Sequence, residues 1–170
     1  MTKQYIAAAI VELAATRLKR LEHIRTNMLA SIQSEREEIQ KLHCDAELDA
    51  DVLADECRYL NEAEVMIGGL LIVGLYSAVE HFTKQLLRHR YPPSKVNEFY
   101  KIERLQEALA RDCQVDLFTM PEFAAIDELR QRNNAVKHGG QYREPSLETY
   151  DKVRPAVVPY LERIGAVIIS

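Results

Sequence analysis

Tryptophan is absent from this chain, and glycine, proline and cysteine are scarce, at six, six and three in 170 residues. So few turn formers exclude a strand-rich fold with many tight hairpins. Apolar residues recur every three to four positions instead, and the chain reads as all-α. Cys44, Cys57 and Cys113 are odd in number and widely spaced, and none pairs with His at zinc-ligand spacing. Neither a disulfide framework nor a metal site is expected from them, and a reduced, cytoplasmic compartment fits. Polar residues open the chain, and Glu12 and Arg17 interrupt the apolar ones that follow, so no secretory signal is expected. No phosphate-cradling glycine loop and no serine nucleophile elbow occurs, and no cofactor is expected. Basic residues are not in excess: 22 Lys and Arg face 26 Asp and Glu, for a net charge of −4. A nucleic-acid partner would therefore have to use a local patch. The uncharged run Val65 to Val79 falls short of the roughly 20 residues of a membrane span, so a buried central helix is expected.

What is present is helical periodicity. Its length suits one domain over residues 1–170. Ile10, Leu13, Ala14, Leu18, Leu21, Ile24, Met28 and Ile32 predict a long helix from near Thr2 to Leu42. After a polar, acidic turn over His43–Asp51, a second long helix runs from Asp51 to His89. Its stripe is Leu53, Cys57, Leu60, Ile67, Leu71, Leu75, Ala78, Phe82 and Leu86, and Gly68, Gly69 and Gly74 mark close approaches or a bend. Pro92 and Pro93 end it. A third helix covers Ser94–Asp112, and a fourth runs from Pro121 to Lys137, stopped by Gly139 and Gly140. A last helix spans Ser146–Ile168, with Pro155 and Pro159 kinking or delaying it. The expectation is an antiparallel helical bundle of two long and about three shorter helices. Long helices that outrun a small core bury apolar surface best against a second copy, so a homodimer is expected.

The fourth helix ends in Arg132-Asn133-Asn134-Ala135-Val136-Lys137-His138-Gly139-Gly140. Arginine clamps phosphate charge and histidine moves protons, the two tasks of metal-free phosphodiester cleavage. Ala125, Leu129, Arg132 and Val136 share a narrow helical stripe, so Arg132 stands in line with apolar neighbours and needs a partner. That partner is a structural acid, a phosphate or a facing subunit. His138 lies about 120° around the helix from Arg132, so the pair converges only if the helix changes geometry or a second copy faces it. Arg130, Arg132, Lys137 and Arg143 occur between Leu129 and Arg143 without an acid, and Tyr142 stands ready to stack on a base. Lys84, Arg88, Arg90, Lys95, Lys101 and Arg104 form a second basic group, while Glu35 to Glu64 is acidic.

The run Glu128 to Gly140 resembles the signature of the HEPN superfamily, an Arg, usually a polar residue, and a His after four to six intervening positions. The segment Leu75 to Leu87 resembles the second long helix of such domains, with Glu80 where an acid is often found. The resemblance implies a dimerising helical bundle whose two signature helices meet in one cleft. It also implies a metal-independent endoribonuclease, with toxin–antitoxin and phage-defence effectors among its kind and an antitoxin or defence partner protein. Under it His138 is general acid or base, Arg132 stabilises the phosphorane, Asn133 orients substrate or histidine, and Glu80 orients the site. Arg130, Lys137, Arg143 and Tyr142 would hold RNA. One toxin subgroup carries a tyrosine two residues past the histidine, where this chain has Gly140. The alternative is a HEPN-like module that dimerises or binds RNA without cutting it, or a plain bundle in which both motif residues are structural.

Overall fold

The uncharged run becomes the middle of a central helix around which the other helices pack. The computed structural model describes residues 2–44, 49–139 and 147–169. In chain order the helices are α1 (Lys3–Cys44), α2 (Ala50–Leu87), α3 (Pro93–Glu98), α4 (Ile102–Cys113), α5 (Phe123–His138), α6 (Leu147–Val153) and α7 (Val157–Ile169). Short 3-10 turns at Leu117–Thr119 and Arg154–Ala156 precede α5 and α7. Among the described residues there is no strand, and the architecture is an all-α antiparallel bundle.

Helix α2 packs against α1, α5, α6 and α7. Its stripe is buried from Leu60 onward, through Ile67, Leu71, Leu75, Ala78, Phe82 and Leu86. Each such leucine contributes about 1.5–3 kcal/mol of transfer free energy. Cys57, expected on that stripe, is exposed. Among the α2 glycines, Gly74 has a clear packing reason. A Cβ there would stand 3.0 Å from the Leu21 side chain, so the close approach is to a side chain of α1 rather than to its backbone. The Asp49 carboxylate caps α2 by accepting from the Asp51 backbone N–H at 3.1 Å.

Two expected helices are each divided. The third is interrupted at Phe99–Lys101, giving α3 and α4. No glycine or proline marks that break. Phe99 is instead drawn into the core, edge-on to Tyr91 with ring centroids 5.2 Å apart. The last is divided by Pro155, which sits in the 3-10 turn between α6 and α7. Pro121 precedes α5 rather than opening it, and the N-cap is Glu122, gripped by Arg163 of α7 through two 2.9 Å hydrogen bonds.

The α1–α2 hairpin outruns its core. Among the described residues none between 33 and 59 is buried. Closer to the core, Met66 and Leu70 of α2 are 61% and 64% exposed, and Ile24 of α1 is 48% exposed. The Leu21–Gly74 contact fixes the helix register, so Ile24 and Leu70 lie at one level of the hairpin. Among the described residues one helix, α2, is long and apolar enough to cross a membrane, and half of its most apolar window is buried inside the bundle.

Candidate active site at the end of α5

Helix α5 buries Ile126, Leu129 and Asn133. The core stripe is thus turned from the expected Ala125–Leu129–Arg132–Val136 line, and Arg132 flanks it with its side chain 24% exposed. By the 100° step per residue, Arg130, Asn134, Lys137 and His138 share one flank, and Glu128, Arg132 and Val136 share the other. The packing agrees. Asp127 and Arg130 meet α2 around Tyr76 and Glu80. Glu128 meets α6, accepting from Lys152 at 2.7 Å.

Helix α5 runs antiparallel to α2. Its first half lies along Tyr76, Glu80 and Leu87, while the chain re-emerges at Leu147 and Glu148 beside Asn61, Glu64 and Val65. His138, eight residues or about 12 Å beyond Arg130, therefore lies level with the exposed Met66 and Leu70. Gly139 ends the helix in the left-handed region, φ 62°, donating its N–H to the Ala135 carbonyl. His138 is left exposed on the last turn beside exposed Lys137, where the carbonyl end of the helix favours positive charge.

Acids just upstream pair with the signature cations. Asp127 accepts two hydrogen bonds from Arg130, at 2.9 and 2.8 Å, and Glu128 lies 4.0 Å from Arg132. Arg132 is thus a held side chain. The spacing i,i+3 and i,i+4 was the signal for both partners. Within one chain Arg132 and His138 lie on different flanks. Asn133 is 1% exposed, and its Oδ1 has no hydrogen-bond partner among the described residues. Glu80 accepts from Lys84 at 2.7 Å and joins Arg130 and Asp127 around Tyr76. Burial, and then the Glu80 carboxylate, push the Tyr76 phenol above its ordinary pKa. Gly140, Tyr142, Arg143 and residues 45–48 of the acidic turn lie outside the described residues.

Half of the second basic group pairs with acids where it stands, Lys84 with Glu80 among them. Lys95 and Arg111 pair with Asp112, Arg104 pairs with Glu107, and Arg90 donates to the Asp112 carbonyl. Arg111 holds the Asp112 carboxyl well below the usual carboxylate range. No family model, no curated protein and no solved structure matches this chain.

Proposed function

We propose that the protein is a metal-independent endoribonuclease of HEPN type that works as a homodimer, with toxin or phage-defence effectors as its functional class. The observation that carries the reading is the end of α5. There His138 stands open to solvent beside Lys137, level with an unburied apolar stripe of α2. A second copy seated on Met66 and Leu70 removes apolar surface from water and brings a second signature helix to the same place. One protomer's Arg132 then complements the other's His138.

In that cleft His138 takes the proton of an RNA 2′-hydroxyl. The freed oxygen attacks the adjacent phosphorus, and the bond to the 5′-oxygen breaks as the protonated histidine returns the proton to it, leaving a 2′,3′-cyclic phosphate and a 5′-hydroxyl. Arg132 stabilises the crowded phosphorane, its guanidinium turning from Glu128, 4.0 Å away, to phosphate oxygens. Asn133, being buried, acts by fixing the packing of α5 rather than by touching RNA.

Cleavage of mixed cellular RNA in EDTA tests this. Wild type yields cyclic-phosphate ends, and Arg132→Ala and His138→Ala each lose about 100-fold or more while remaining folded and dimeric. No cleavage by a folded dimeric wild type refutes the enzyme. The second reading, a dimerising or RNA-binding module, is favoured by the carboxylate partner that Arg132 already has on its own helix.

A further inference from the structure

A cleft of about 60 Å³ opens between α2, α4, α5 and α7, on the flank of α5 that also carries His138. Its walls are apolar: Val79, Leu87, Phe99, Leu105, Phe123 and Ile126. Its floor is not. Thr83 is 7% exposed, and its Oγ1 is buried without a hydrogen-bond partner. The buried Tyr160 hydroxyl lies close by without an ordinary hydrogen bond to it. Burial holds that phenol protonated well above its usual range, so it remains a donor. At the mouth stand Tyr76, the exposed Tyr100, and the pairs Lys84–Glu80 and Arg130–Asp127.

An orphaned hydroxyl at the bottom of an apolar slot is costly unless something polar enters. The occupant needs a flat apolar body and a hydrogen-bonding edge. Bulk water takes about 30 Å³ per molecule, so the deep part holds about two waters or the edge of one ring. We propose that this cleft receives the edge of a pyrimidine base from single-stranded RNA lying along the flank of α5. The choice of RNA rests on the ribonuclease reading. The Thr83 and Tyr160 hydroxyls donate to acceptors on the ring, the two carbonyls of uracil or the carbonyl and ring nitrogen of cytosine, Tyr100 covers the ring at the mouth, and the backbone passes Lys84 and Arg130. His138 lies about 12 Å further along the helix, so the base read here is a few nucleotides from the bond cut.

The test is titration of the intact protein with uridine, cytidine and adenosine 5′-monophosphates, followed by NMR shifts of Thr83 and Tyr160. The two pyrimidine nucleotides are expected to saturate both signals, with the adenosine compound about five-fold weaker or more. Thr83→Val should weaken pyrimidine binding about five-fold, the worth of one hydrogen bond. That variant is not expected to unfold, because the hydroxyl it removes makes no hydrogen bond. No saturable shift, equal binding of the purine, or unchanged binding by Thr83→Val would overturn the proposal and leave a site for water. Binding is read without cleavage. Pyrimidine binding in a protein that cuts no RNA sinks the ribonuclease alone, and cleavage without nucleotide binding sinks the base site alone.

Discussion

Asn133 is the costliest residue of the signature helix. A buried amide oxygen without a partner costs about 1–3 kcal/mol, and the helix places it directly beside Arg132. Leucine has the same branching and no polar atoms but is larger, so crowding takes back part of the gain. Asn133→Leu is therefore expected to raise stability by about 1 kcal/mol, read as the midpoint of urea unfolding, while lowering RNA cleavage through a shifted α5. Gain of stability with full activity would make the amide a bystander; loss of stability would show that it has a partner. Asn133 also explains what could not be read from the sequence at this scale. A polar residue in the core position breaks the apolar pattern, so the apparent stripe runs through Arg132, one position away. The spacing of Arg132 from His138, and the 120° between them, were legible because they depend on helix geometry alone.

At the scale of elements, the helix ends decide the site. Gly139 holds φ 62°, and a Cβ there would meet nothing within 4 Å. The cost of adding one is purely conformational. Gly139→Ala is expected to destabilise the protein by about 1 kcal/mol and to fray the last turn of α5, where Lys137 and His138 sit. Amide exchange of Val136 to His138 measures the fraying, and unchanged protection there would contradict this role. The stop was legible because glycine announces it. The long helices were legible from sustained periodicity, and the turn after α6 from Pro155. The α3–α4 break was not, because burial of Phe99 against Tyr91 decides it and no local residue encodes it. The partners of the signature cations were legible in principle, as Asp127 and Glu128 stand three and four residues before Arg130 and Arg132.

The whole molecule is a hairpin of two long helices, most of whose length is wrapped by the rest of the chain. Only its outer end has no buried residue among those described, and within the wrapped part the apolar stripe of Met66, Leu70 and Ile24 stays on the open side. The second copy proposed above accounts for both this stripe and the split pair of motif residues. The central claim is that the cleft is shared, with Arg132 from one protomer and His138 from the other. It is tested most directly by mixing Arg132→Ala and His138→Ala subunits, each inactive alone, and letting them exchange. In a mixed dimer with shared clefts, one cleft lacks both residues and the other has both. Half the dimers are mixed at equal amounts, so about a quarter of wild-type RNA cleavage should return. No recovery, with subunit exchange confirmed by mass, would mean that the two residues do not act together across the dimer.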